Sequence, residues 1–331
     1  MHPKTDSNRK AFDHLTPDLV IHLTEEALGS RCTNLCRPLN SYINRVYEVQ
    51  PADGDPVIAK FYRPGRWSPE ALADEQTYLF DLKDAEVPVI PPIGSDPEDA
   101  LHEYQGMYFA LFPKKGGRIC DEPSSDEWKE LGRLIGRAHL VGRIRAAPQR
   151  IVMHPEHSTE AQVAEIVDSE HMAHEWAGPY EESALATIEQ IAPLFDDIEP
   201  LRIHGDLHHQ NIIHRPGESF YLIDFDDMAM GPAVQDVWML LPGRVRDARR
   251  ELDLFLDGYE TFREFEHAQL RLIEPLRAMR FIHYTAWCVR QAHDGGFARL
   301  DSDWGSTAYW RREVDELEKQ RTEIEDALAG R

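Results

Sequence analysis

Two segments beyond the middle of the chain concentrate groups able to do chemistry: HGDLHHQNII at 204–213 and YLIDFDD at 221–227. Together they hold three histidines, four aspartates and one asparagine. Phosphoryl transfer from a nucleoside triphosphate makes two demands that such a set can meet. Charge on the triphosphate must be neutralised by Mg2+, which takes oxygen ligands in octahedral geometry and keeps several waters. The acceptor hydroxyl must lie beside a carboxylate ready to take its proton. Asp206 suits the second demand, and Asn211 with Asp224 suits the first. An asparagine ligand brings an oxygen to the metal without adding another negative charge beside the phosphates. A metal-dependent hydrolase is the competing reading, with His204, His208 and His209 as ligands. It leaves the N-terminal third of the chain without a task. His204 is better read as a structural residue holding the loop, and His208 and His209 as surface.

A phosphotransferase also needs a strand lysine to reach the α- and β-phosphates, and a glutamate on the next helix to hold that lysine. Lys60 lies in VIAKFY, with apolar residues on either side. Glu75 follows fifteen residues later, in a helix announced by Ser68 as cap and Pro69 at the first helical position. Glu70 is the weaker partner, because acids in a first turn serve the helix dipole. In isolation Lys60 would be an ordinary surface lysine; the company of the other groups gives it the phosphate role.

The elements that must position these residues fall into two regions. NRVYEV (44–49) and PVIAKFY (56–62) read as strands joined by PADGD, whose Asp-Gly pair is a hairpin signal. The helix behind Ser68, the proline-rich extended run EVPVIPPI (86–93) and the strand GMYFALF (106–112) complete a β-rich region. From Ser125 the pattern turns helical, with DEWKELGRLIGRAHLVGR (126–143) placing Leu131, Leu134, Ile135 and Ala138 on one face. Helices are expected at about 158–174 and 180–195, then over PAVQDVWMLL, RDARRELDLFLDGYETFREF, IEPLRAMRFIHYTAWCVRQ and 306–328, interrupted by a strand-rich stretch from Leu201 to Asp227. The expected organisation is an N-terminal lobe, 1–113, with the nucleotide-covering turn, strand lysine and adjacent helix, and a helical C-terminal lobe, 114–331, with the catalytic and metal-binding loops.

Composition narrows the class. The chain has 331 residues, 42% hydrophobic and 29% charged, ordinary for a soluble globular protein. A net charge of −23 argues against a nucleic-acid partner, since phosphates would be repelled. No apolar run reaches the length of a membrane span, and MHPKTDSNRKAFDHL lacks a signal-peptide core. The four cysteines form no metal pattern and read as reduced thiols of a cytoplasmic protein. Residues 151–200 carry twelve acids and no Lys or Arg. That stretch reads first as solvated helix faces and, more sharply, as an acidic apron for a basic acceptor.

The Asp-x4-Asn spacing followed by an apolar strand ending in Asp resembles the catalytic segment of protein kinases and aminoglycoside phosphotransferases. PLNSYINRVYEV, VIAKFYRP, GMYFALFP, HGDLHHQNII, LIDFDDMAMGPAVQDVWMLL and IEPLRAMRFIHYTAW extend the likeness from about 38 to 287. Over that span the chain resembles the bacterial RdoA-type Ser/Thr protein kinases of the aminoglycoside/choline phosphotransferase superfamily. The resemblance implies an α+β, two-lobe, protein-kinase-like fold and an ATP- and Mg2+-dependent enzyme phosphorylating a protein Ser or Thr in a stress response; separately, the chain is expected to act as a monomer. The resemblance also makes Asp206 the proton acceptor, Asn211 and Asp224 the Mg2+ ligands, and Ser41 a residue of the ATP site. Two departures matter. The covering turn PLNSYINRV has no glycine, so Ser41, Asn44 or backbone amides must serve. Between Asp224 and Asp236 stand only eleven residues, too few for a phosphorylatable activation loop. The short spacing keeps a small-molecule hydroxyl kinase as an alternative. A regulatory nucleotide-binding pseudokinase is a third reading, against which Lys60, Asp206, Asn211 and Asp224 all stand. Asp226 and Asp227 either support the metal or are solvated, and Asp236 reads as an anchor for the loop.

Overall fold

A computed structural model describes residues 12–292 and 303–329. In chain order the elements are α1 (Pro17–Leu28), β1 (Cys32–Leu39), β2 (Arg45–Pro51), β3 (Val57–Phe61), α2 (Pro69–Asp84), β4 (His102–Tyr104), β5 (Met107–Pro113), α3 (Ser125–Gly142), α4 (Glu160–Val167), α5 (His174–Ile191), β6 (Leu201–Ile203), β7 (Ile212–Arg215), β8 (Ser219–Leu222), β9 (Ala229–Gly231), α6 (Gln235–Trp238), α7 (Arg249–Tyr259), α8 (Ile273–Gln291) and α9 (Thr307–Leu328). They divide into two compact units. One comprises Met1–Arg150, His204–Met228 and Leu240–Glu264; the other comprises Ile151–Ile203, Ala229–Met239 and Phe265–Arg331. The N-terminal stretch read as lacking a signal peptide lies mostly outside the described residues. Among those described, no helix is long and apolar enough to cross a membrane, and the four cysteines are free.

The first unit is built on a five-stranded antiparallel sheet of order β1-β2-β3-β5-β4. In β3, Lys60 pairs with Val46 on one side and Ala110 on the other, so the lysine leaves the sheet from a central strand. Val49, Val57, Ala59, Phe61, Phe109 and Leu111 are buried and pack with Val20 and Leu23 of α1. Sequence reading missed α1, although its signals are present. Thr16 accepts from Leu19 N, Pro17 opens the helix and Gly29, at φ 63°, closes it, the cap chemistry expected at both ends. The helix from Ser68 runs as expected, with the Ser68 side chain accepting from Ala71 N.

Also within this unit, α3 and α7 cross with their backbones in contact. A Cβ added at Gly132 would stand 1.9 Å from Phe255 O, and one at Gly258 would stand 2.0 Å from Lys129 O. Only glycine permits that approach. Tyr78 of α2 donates to Ala138 O at 3.1 Å, so α3 also braces the helix that carries Glu75. The β7–β8 hairpin pairs Ile212 with Leu222 through Arg215 with Ser219. Asn211 immediately precedes it and Asp224 follows it by two residues.

The second unit is mainly helical. Its core joins Val163 and Ile166 of α4, Tyr180, Ala184 and Ile188 of α5, Ile282 and Ala286 of α8, and Trp310, Val314 and Leu317 of α9. The acidic stretch becomes α4 and α5. Glu165 pairs with Arg290 at 2.6 Å, whereas Glu181, Glu182 and Glu189 are exposed, the pattern of a solvated face. The helix expected over PAVQDVWMLL is only Gln235–Trp238. Leu241 precedes Pro242, and a residue before proline is pushed out of the helical region.

Candidate active site

Lys60 is 8% exposed, and its ammonium is surrounded by carboxylates. Nζ donates to Asp224 Oδ1 at 2.8 Å and lies 3.7 Å from Asp226 Oδ1 and 3.8 Å from Glu75 Oε1. Burial works to lower the lysine's pKa, but Asp224, Asp226 and Glu75 outweigh it and hold the group well above its ordinary value. The lysine is therefore a fixed positive charge. Glu75 is 1% exposed. Its carboxylate accepts from the Tyr62 hydroxyl at 3.1 Å and from Arg150 Nη2 at 3.4 Å. Burial pushes its carboxyl up, with Lys60 and Arg150 pulling the other way. Glu70 is exposed in the first turn of α2 and takes no part.

The loop between Ile203 and Ile212 is tied to Ile223, just after β8, by two hydrogen bonds, and a third closes the loop on itself. The His204 ring donates from Nε2 to Ile223 O at 2.8 Å and stands 4.6 Å from the Phe225 ring. Ile223 N donates to Asn211 O at 3.0 Å. Asn211 Nδ2 donates to Asp206 O at 2.9 Å, which leaves Asn211 Oδ1 as the amide atom available to a metal. The Asp206 carboxylate has His208 Nε2 at 3.5 Å. His204 is thus the structural residue expected. His209 is a correction: it is half-buried, with Nε2 donating to Leu240 O at 3.0 Å and its ring edge-on to Trp128. No local sequence signal pointed to partners so far along the chain.

Asp224 adopts left-handed backbone geometry, φ 59° and ψ 66°. A non-glycine residue there is strained by about 1–3 kcal/mol and persists only where its surroundings enforce it, typically at functional sites. Its side chain is 53% exposed. Burial of its surroundings would raise its pKa, but Lys60 outweighs that and holds the carboxyl below the usual range. Exposure screens part of this attraction, so the pair adds little to stability.

Two cations that sequence reading missed complete the group. Arg66, in the loop between β3 and α2, donates from Nη1 to Asp226 and from Nη2 to Asp227. Arg150, wholly buried, donates from Nη2 to Phe225 O at 3.2 Å and Asp226 O at 2.9 Å. Their partners lie 160 and 75 residues away, beyond the reach of any local pattern. Asp226 is 4% exposed and Asp227 half-buried. Loop solvation is therefore the wrong description of Asp226.

Lys60, Glu75 and Asp224 thus come together, as do Asp206 and Asn211. Ser41 lies half-buried in the turn after β1 and is not part of either hydrogen-bonded set. Asn44 Oδ1 accepts from Arg63 N at 3.1 Å, so that side chain stabilises the turn. The donor set fits a hard divalent cation. Asn211 Oδ1 and the Asp224 carboxylate offer oxygen, and Asp226 Oδ1 is buried without a hydrogen bond, the donor type that such a cation takes. Cys120, Glu127 and His214 also gather within 4.8 Å. Their geometry is explained without a metal, since Glu127 caps α3 through Ser124 and stands 3.6 Å from His214 Nε2.

Comparison with known proteins places these features in context. Residues 35–273 match the phosphotransferase enzyme family. Stress response kinase A of Escherichia coli (strain K12) is 36% identical over 311 residues, 92% of each chain. Serine/threonine protein kinase RdoA of Salmonella typhimurium (strain LT2) is 34% identical over 318 residues, 93% of each chain. Among solved structures, amicoumacin kinase hAmiN in complex with AMP-PNP, Ca2+ and Ami shares the fold, with a TM-score of 0.69 at 19% identity over 92% of both chains.

Proposed function

The chain belongs to the phosphotransferase enzyme family, and from that premise we propose that it is an ATP- and Mg2+-dependent Ser/Thr protein kinase of a bacterial stress response. The observation that carries the reading is the Lys60 cluster. A buried strand lysine stands 2.8 Å from Asp224 and 3.8 Å from a buried helix glutamate, the arrangement that orients a lysine toward nucleotide phosphates. Relatives named as stress response and Ser/Thr protein kinases support the acceptor class and setting.

In this reading residues 1–113 bind the nucleotide, with Ser41 in the covering turn, and residues 114–331 carry the acceptor side. The protein works as a monomer in the cytoplasm. Lys60 holds the α- and β-phosphates and Glu75 keeps the lysine aimed. Asn211 Oδ1 and the Asp224 carboxylate hold Mg2+. The metal neutralises charge on the triphosphate. Asp206, whose loop is fixed by the Asn211 hydrogen bond to its carbonyl, takes the proton of the acceptor hydroxyl as the γ-phosphoryl group is transferred.

A small-molecule hydroxyl acceptor is the second reading, favoured by the eleven residues between Asp224 and Asp236, which leave no peptide-docking activation loop. One experiment separates the two. Purified protein with γ-labelled ATP is offered a lysate freed of small molecules and, separately, the low-mass filtrate. Label on protein Ser or Thr supports the first reading, and label only in the filtrate overturns it.

A further inference from the structure

Asp224 must hold a strained backbone geometry while presenting its carboxylate to the cation that the proposed function gives it, and something has to keep it there. The turn that follows it, Phe225–Asp227, is gripped twice. Arg150 binds the carbonyl oxygens of Phe225 and Asp226. Arg66 binds the side chains of Asp226 and Asp227, one guanidinium nitrogen to each. Trp67 lies against both guanidinium groups, 5.4 Å from Arg66 Cζ and 4.2 Å from Arg150 Cζ. Gly65, at φ 81°, turns the chain so that Arg66 follows directly.

The charges point the same way. Four carboxylates, Glu75, Asp224, Asp226 and Asp227, face three cations, Lys60, Arg66 and Arg150. Without Arg66, Asp227 loses its guanidinium, and Asp226 keeps only Lys60, at 3.7 Å. The buried Asp226 carboxylate and the half-buried Asp227 carboxylate beside it would then repel, and the turn would relax away from the geometry that Asp224 needs. A lysine could not replace the arginine, because one ammonium cannot span two carboxylates as a planar fork does.

We propose that Arg66 is a positioning residue for the metal: by clamping Asp226 and Asp227 it fixes the turn that aims Asp224 at the cation held with Asn211. The assignment rests on the proposed function, since it presumes that Asp224 holds Mg2+. Arg66 acts on the metal through the two aspartates and does not touch it.

The test uses Arg66→Met, Arg66→Lys, Asp227→Asn and the double variant Arg66→Met/Asp227→Asn. Mg2+-dependent ATP binding by calorimetry is one readout. Arg66→Lys should fold with a Tm close to the parent yet need about 10–100-fold more Mg2+ for half-maximal binding, the usual cost of losing a residue that orients a ligand. Thermal unfolding without metal is the second readout. Asp227→Asn should rescue much of the stability lost in Arg66→Met, because it removes a carboxylate that Arg66→Met leaves unpaired. Unchanged Mg2+ dependence in Arg66→Lys, or strictly additive stability losses in the double variant, would overturn the clamp. A parent that binds ATP with no Mg2+ dependence would instead sink the functional reading, and the clamp with it.

Discussion

Replacing Lys60 with methionine removes one ammonium from the centre of the site and keeps the volume of its stem. Its effect on stability can be worked from the contacts. Lys60 touches Asp224 at 2.8 Å, but that carboxylate is 53% exposed, so the pair is worth at most about 1 kcal/mol. The contacts to Glu75 and Asp226 are buried, yet each carboxylate keeps another cation: Arg150 for Glu75 and Arg66 for Asp226. Breaking a buried pair costs about 3–5 kcal/mol when the survivor is left alone. Here neither survivor is alone, so the loss should fall below that range, at about 1–2 kcal/mol. Tm should drop by roughly 2–6 °C. Under the proposed phosphate role of Lys60, ATP binding should be affected far more. A hydrogen bond to a charged group contributes about 1.5–3 kcal/mol, so affinity for ATP should fall roughly 10- to 150-fold. Differential scanning calorimetry and ATP titration on one preparation measure both. A folded variant that binds ATP within about 3-fold of the parent would remove Lys60 from the phosphate site. Complete unfolding would show that Arg66 and Arg150 do not compensate.

The remaining expectations concern the base, the aspartate's charge and the helix crossing. Asp206→Asn should slow turnover by about 10²–10⁴ while ATP affinity changes little, because the proposed function makes the lost group the proton acceptor; steady-state kinetics checks it, and parental turnover would refute the assignment. The Asp224 carboxyl, held low by Lys60, should titrate by NMR below the ordinary value of about 3.9. In Lys60→Met the midpoint should move up. Because the folded value is depressed, the stability this group adds is present above pH ~3.9 and is lost as pH falls through the folded midpoint, so it adds no pH dependence between about pH 5 and 8. A midpoint unmoved by Lys60→Met would contradict the pairing. Gly132→Ala should destabilise the first unit by about 1–3 kcal/mol or more, since its methyl would stand 1.9 Å from Phe255 O; an unchanged melting curve would show that the crossing yields freely.

What could be read from the sequence was set by how local each signal is. Lys60, Glu75, Asp206, Asn211 and Asp224 were legible because short spacings and nearby element signals carry them. Ser68 and Pro69 mark the start of the helix holding Glu75, and the apolar run YLI marks the strand before Asp224. Arg66 and Arg150 were not legible, because what defines them is contact with a turn far along the chain. The covering turn was half legible. The missing glycines were visible, but Asn44 turned out to serve the backbone through Arg63 N. Single elements failed for stated reasons: α1 was overlooked despite its caps, and α6 stops short ahead of Pro242.

The central claim is that Asp224 holds the metal and Asp206 handles the acceptor. Calorimetric titration of Mg·ATP into Asp224→Ala, Asn211→Ala and Asp206→Asn tests it most directly. Asp224→Ala should lose Mg2+-dependent ATP binding, Asn211→Ala should weaken it less, because a neutral dipole rather than a full charge is removed, and Asp206→Asn should bind like the parent. Undiminished affinity in both Asp224→Ala and Asn211→Ala, or loss of binding in Asp206→Asn alone, would contradict the account.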